Sequence, residues 1–174
     1  LHGRNYTGEF GHQGLNKIER QTIQFDGEPC VELDYSGFHT RLIYHQQGID
    51  YREDPYRLWG EQTSPPMRLM AKVLVNTLIN AESPESAIDA CNFKMCWRTK
   101  EGNDKQGKAL ETAKELVWAA RNTSITFKQI LPRAMSFHRR ISHIFGCDMG
   151  IKLMNLDGEL ARNIMYKMAK NGVP

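Results

Sequence analysis

Two segments of this chain bring together residue types whose spacing suits chemistry on phosphate. The first is Val31-Glu-Leu-Asp-Tyr-Ser-Gly-Phe-His-Thr-Arg41. Alternation along a strand puts Val31 and Leu33 on one face and Glu32 and Asp34 on the other. Asp34 then stands at the strand end, followed by small Ser36 and Gly37, where a carboxylate can hold a divalent metal in a cleft or, equally, cap the following helix. The second is Ser64-Pro-Pro-Met-Arg-Leu-Met-Ala-Lys-Val-Leu-Val-Asn-Thr77. On a helix, Arg68, Lys72, Asn76 and Asn80 form one ridge at i, i+4 spacing on an otherwise apolar rod. Two cations there call for an anionic partner. Either local acids supply it (Glu61 or Asp34), or the pair holds a triphosphate over Asp34 with Mg2+ bridging.

The elements that must position these residues are legible in outline. Residues 20–26 and 29–34 read as two short strands around Asp26-Gly27, a pair that tolerates the positive φ of a two-residue hairpin turn. Residues 37–47 read as a helix stopped by Gly48, and Ser64 with Pro65 and Pro66 opens a helix running to about residue 81. Residues 98–108 form a polar, solvated loop, and 105–121 a helix with a core-facing stripe from which Trp118 stands apart. The stretch 126–145 carries Pro132 and is expected as one kinked helix or two, with His138 a satisfied core histidine on its apolar face. After the break at Gly146–Gly150, Asn155 is expected to cap a last helix that buries Leu156, Leu160, Ile164 and Met168, with Asp157 and Glu159 in its first turn.

The chain's 174 residues suffice for a domain with its own core, and 40% hydrophobic with 25% charged residues is ordinary for a globular protein. The net charge of +3 is mild, so any phosphate binding must come from local clustering of cations. No run of about 18 apolar residues is present, so no membrane span is expected. The four cysteines, Cys30, Cys91, Cys96 and Cys147, lack zinc-ligand spacing and are expected as buried, reduced thiols of an intracellular protein.

Asp34-Tyr35-Ser36 followed by Arg41-Leu42 resembles motif A of the family-A DNA polymerases. Asp54-Pro-Tyr-Arg-Leu-Trp-Gly60 resembles the segment leading into that family's fingers, and 64–77 resembles its motif B. Gly3-Arg4 with Gln13, Asn16 and Arg20 resembles the elements before motif A, and Leu153–Arg162 a template-contacting helix. The resemblance implies an α+β, mostly helical fold: a short antiparallel palm hairpin, with palm residues 1–50 and 146–174 and a fingers-like helical insertion over 51–145. It implies a DNA-directed DNA polymerase using two-metal phosphoryl transfer, with Mg2+ (or Mn2+) held by Asp34 and the carbonyl of Tyr35. Ser36, His39, Tyr56, Arg68, Lys72 and Asn76 would bind the nucleoside triphosphate. Primer–template DNA would meet Arg4, Asn16, Asn155 and the Arg139-Arg140 pair. A bacterial or phage-infected cytoplasm is the implied setting, in a phage, plasmid or mobile-element branch.

Departures from the family pattern bear on selectivity. His39 stands where the family has a glutamate that blocks a ribose hydroxyl. Asn76, Thr77 and Asn80 replace motif B's aromatic, glycine and tyrosine. The family's second metal-binding carboxylate arrives on a His-Asp hairpin after the helix matched here by 155–171, close to Pro174, and the chain opens on Leu1. The expectation is therefore a fragment ending before motif C, inactive alone. Two alternatives stand beside it: a relative of the single-subunit RNA polymerases, and a non-catalytic nucleic-acid-binding module on a polymerase-like fold.

Overall fold

The computed structural model describes residues 15–29 and 35–172, and they are mostly helical. The chain divides into two compact units, residues 1–36 with 151–174 and residues 37–150. The sequence-based division falls instead at 50/51 and 145/146.

In the first unit, α1 (Lys17–Arg20) precedes an antiparallel pair, β1 (Gln24–Phe25) and β2 (Glu28–Pro29), with Gln24 opposite Pro29 and Phe25 opposite Glu28. Asp26 and Gly27 form the expected turn, at φ 51° and 85°. The first strand starts later than expected because Asn16 and Glu19 form a capping box: the Asn16 carboxamide accepts from the Ile18 and Glu19 amides, and Glu19 accepts from the Asn16 amide. Three backbone donors are satisfied by the two side chains, which commits Arg20 to helix.

The second unit is built around α3 (Pro65–Asn80), capped as expected by Ser64. Its apolar residues encircle it, so it must be covered on several sides. It packs against α4 (Pro84–Met95), α5 (Gly107–Thr123) and α6 (Phe127–Phe137), and touches α2 (Phe38–Gln46). Met70, Ala71, Leu74, Val75, Leu78 and Ile79 of α3 are all fully buried, with Leu116, Phe127 and Ile130 of its neighbours. Burying each large side chain contributes roughly 1.5–3 kcal/mol. Helix α2 stops at Gly48 (φ 72°) as expected. Pro132 lies inside α6, which ends at Phe137; a 3-10 turn, Ser142–Ile144, follows. Helix α4 has no counterpart among the expected elements; its signals are the Ser83–Ser86 capping box and Pro84 at the first position. Trp118 is 55% exposed.

Two expectations are corrected at the carboxyl end. Helix α7 (Gly150–Lys170) starts five residues before Asn155, so Asn155 lies in its interior, and Asp157 and Glu159 fall beyond its first turn. The reason is tertiary. The Gly146, Asp148 and Met149 amides donate to the carbonyls of Leu78, Ala81 and Ile79 at 2.8, 2.9 and 2.9 Å, fixing the approach to Gly150 and capping α3 at once. Further along α7, Leu153 is buried and Leu156 and Leu160 are half-buried. Ile164 and Met168, expected inside, are exposed, as is everything from 161 to 172. The cysteine expectation also fails in part: Cys91 is buried, Cys96 and Cys147 are exposed, all three are free thiols, and Cys30 lies outside the described residues. Among the described residues, no helix is long and apolar enough to cross a membrane.

Candidate nucleotide-binding site

Helical geometry places Arg68, Lys72, Asn76 and Asn80 along one ridge of α3. The Arg68 Nε donates to Asp54 Oδ2 at 2.6 Å, and its guanidinium lies 5.4 Å from the centroid of the Tyr56 ring. The other Asp54 oxygen accepts from the Tyr56 amide at 3.0 Å. Burial works against the Asp54 charge, but Arg68 and the Tyr56 amide outweigh it and hold the carboxyl below its usual range. Tyr56 is buried, and its hydroxyl donates to Asn76 Oδ1 at 3.0 Å. Asn76 also accepts, through its carbonyl, from Asn80 Nδ2 at 2.6 Å.

Of the residues expected to bind nucleotide, the structure therefore joins Tyr56, Arg68 and Asn76 in one network with Lys72 on the same ridge. Lys72 is exposed and makes no ion pair among the described residues. Among the described residues the acid that pairs with Arg68 is Asp54, not Glu61. Glu61 is taken by Arg57 at 3.0 Å in an exposed pair. Asp54 and its role went unread in the sequence, where the partner of a cation fourteen residues on leaves no periodic signal.

The Asp54–Tyr56 segment is anchored from three directions. Arg41 of α2 donates to the carbonyls of Tyr51, Arg52 and Glu53 at 2.7, 3.2 and 3.0 Å. Arg133 of α6 donates to the Leu58 carbonyl at 2.7 Å. His138, fully buried, lies 2.9 Å from the Pro55 carbonyl through Nε2 and 2.9 Å from the Tyr44 hydroxyl through Nδ1. A carbonyl only accepts, so Nε2 carries the proton and Nδ1 accepts from Tyr44. Burial lowers the His138 pKa to about 4, against the opposing pull of the Pro55 carbonyl. The expected satisfied core histidine is found.

The remaining expected site residues belong to other segments of the chain. Asp34 and Arg4 lie outside the described residues. Tyr35 and Ser36 are exposed; His39 is half-buried on α2, its ring 6.3 Å from that of Phe38. Asn16 caps α1, Arg139 and Arg140 are exposed just after α6, and Asn155 is half-buried within α7. Among the described residues no group of three His, Cys, Asp or Glu side chains is placed to hold a metal ion. In comparisons with known proteins, no family model, curated protein or solved structure matches the chain.

The network makes a direct stability prediction. Asn76→Ala strands the buried Tyr56 hydroxyl and is expected to cost about 1–3 kcal/mol. The double variant with Tyr56→Phe, which removes both partners, recovers part of that loss. Urea denaturation of the two variants checks it, and a double variant no better than Asn76→Ala counts against the pairing.

Proposed function

We propose that the chain belongs to a template-directed nucleotidyltransferase, with a DNA polymerase preferred over an RNA polymerase, acting in a bacterial or phage-infected cytoplasm. The observation that carries this reading is the ridge of α3: Arg68, Lys72 and Asn76 at successive turns, tied through Tyr56 and Asp54 to a second segment matched by the same resemblance. The Lys72 ammonium, exposed and without an ion pair among the described residues, is the charge that meets the triphosphate first. Asp54 holds the Arg68 guanidinium in place through its Nε, until phosphate oxygens compete for it. Asn76 and His39 face the sugar and base in this reading, and the exposed Arg139-Arg140 pair meets template phosphates.

The resemblance assigns Mg2+ or Mn2+ to Asp34 and Tyr35. Such an ion, when bound, lowers the pKa of an attacking hydroxyl and neutralises charge on phosphate. The chain's own residues orient the triphosphate and balance its charge.

The test is binding of Mn2+ with a deoxynucleoside triphosphate to the chain, followed by titration calorimetry. Lys72→Ala and Asp34→Ala are each expected to weaken that binding about tenfold, the loss of one charge-assisted contact. Unchanged affinity in Lys72→Ala removes the triphosphate role. One observation favours the second reading, a non-catalytic nucleic-acid-binding module: Arg68 and Asn76 are both already engaged inside the protein. Retained primer–template binding, with no nucleotide binding in the parent chain or either variant, establishes that reading in place of the first.

A further inference from the structure

Residues 97–105, between α4 and α5, form a tight hairpin rather than a featureless loop. The Lys105 amide donates to the Trp97 carbonyl at 2.8 Å and the Thr99 amide to the Asn103 carbonyl at 2.7 Å, flanking a bridge between Arg98 and Asp104. Gly102, at φ 85°, makes the turn. The hairpin is anchored by Lys105, whose ammonium donates to the Phe93 carbonyl at 2.7 Å and the Lys94 carbonyl at 3.3 Å, and sits 4.7 Å from the centroid of the Phe93 ring. A cation at the last carbonyls of α4 also meets the negative end of that helix.

This rigid base presents Trp97, which is 51% exposed, beside exposed Arg98, Lys100 and Lys108. On the hairpin and the start of α5 the exposed cations Arg98, Lys100 and Lys108 outnumber the exposed acids Glu101 and Asp104, while the Lys94 and Lys105 ammonium groups are bonded to Thr77 and to the last carbonyls of α4. The Arg98–Asp104 pair, 3.8 Å apart with both side chains at least 75% exposed, neutralises little of that positive charge.

We infer that this hairpin is a binding surface for single-stranded nucleic acid, with Trp97 stacking on a base and Arg98, Lys100 and Lys108 meeting the adjoining phosphates. A half-exposed indole on a hydrogen-bonded hairpin, with exposed cations at neighbouring positions, is the composition that sequence-tolerant strand binding uses. A lipid surface fits less well, since Trp97 is the only large apolar side chain from 97 to 108. The inference rests on the proposed function only for the choice of nucleic acid as partner; its residues are separate from those of α3.

The experiment is fluorescence anisotropy of a labelled twenty-nucleotide oligo-dT with the full chain, over a salt series. Trp97→Ala is expected to weaken binding roughly tenfold and Trp97→Phe to restore most of it. The Arg98→Ala/Lys100→Ala double variant is expected to reduce the salt slope by about 1.4, two phosphates' worth on a single strand. Trp118→Ala, which removes another exposed indole of the same unit, leaves affinity unchanged. Absence of binding in the parent chain, equal affinity in Trp97→Ala, or equal loss in Trp118→Ala overturns the inference. So does Trp97-dependent capture by phosphatidylserine vesicles without oligonucleotide binding. Triphosphate binding should be unaffected by the hairpin variants, and unchanged triphosphate affinity in Lys72→Ala sinks the proposed α3 site while leaving this surface standing.

Discussion

Replacing His138 with alanine lowers the unfolding free energy at pH 7 by about 3–4 kcal/mol and brings the variant level with the parent near pH 4. The first part follows from what the ring does: it fills a fully buried position and satisfies both the Pro55 carbonyl and the Tyr44 hydroxyl. Alanine leaves a cavity and two stranded polar groups, costs that add. The second part follows from linkage. The folded ring has a pKa of about 4 against an ordinary 6.5. Between those values the unfolded chain takes up a proton that the folded chain refuses. The stability supplied by this group is therefore complete above pH 6.5, is lost as the pH falls towards 4, and changes no further below that. The loss is about 3 kcal/mol. The variant lacks this titration, so its disadvantage shrinks as the parent's stability falls. Urea unfolding of both proteins by circular dichroism at pH 7, 5.5 and 4 measures it. Parallel pH profiles would falsify the neutral, buried assignment.

Gly37→Ala is the second large effect, expected to lower the melting temperature by more than about 10 °C. Gly37 has φ 64°, and a Cβ there would stand 2.5 Å from Pro55 Cγ and 3.2 Å from Pro55 Cδ. The left-handed backbone alone costs an alanine about 1 kcal/mol. Relief of the clash would require the Pro55 ring to retreat. Its carbonyl is bonded to His138, and the next residue, Tyr56, is bonded to Asn76. With that retreat blocked the total approaches about 3 kcal/mol, and each kcal/mol shifts the melting point of a domain this size by several degrees. Gly48→Ala is the matching control: φ is 72°, but nothing lies within 4 Å of the added carbon. Only the backbone cost remains, and a shift as large as that of Gly37→Ala would show that the Pro55 contact is irrelevant.

Sequence reading succeeded where the determinants are local. Ser64 with Pro65 and Pro66 announces α3, the apolar girdle of that helix announces its central place, and Asp26-Gly27 announces the turn between β1 and β2. The ridge of Arg68, Lys72 and Asn76 is likewise a consequence of helical period. Helix α4 was invisible because its buried residues are the small Ala87 and Cys91, which give periodicity little contrast. The start of α7 was misplaced because its approach is fixed by hydrogen bonds to α3, not by a capping side chain nearby in sequence. Within the candidate site, side chains at regular spacing are legible, and the Asp54 partner of Arg68 is not. Asp54 and the backbone clasp of Arg41 depend on how a loop folds back, and no spacing rule encodes that. Asp34, to which the proposed metal chemistry is assigned, lies outside the described residues.

The clasp between residues 146–149 and the end of α3 also sets a timetable. A chain emerging from the ribosome completes the sequence of α3 long before it reaches Gly146, so the carbonyls of Leu78, Ile79 and Ala81 first meet water. They exchange it for protein amides only once residues 146–149 have themselves left the ribosome, after α4, α5 and α6. The helix that carries Arg68, Lys72 and Asn76 is thus made before α4, α5 and α6 and finished after them. During synthesis its final turn can fray while the capped end at Ser64 holds.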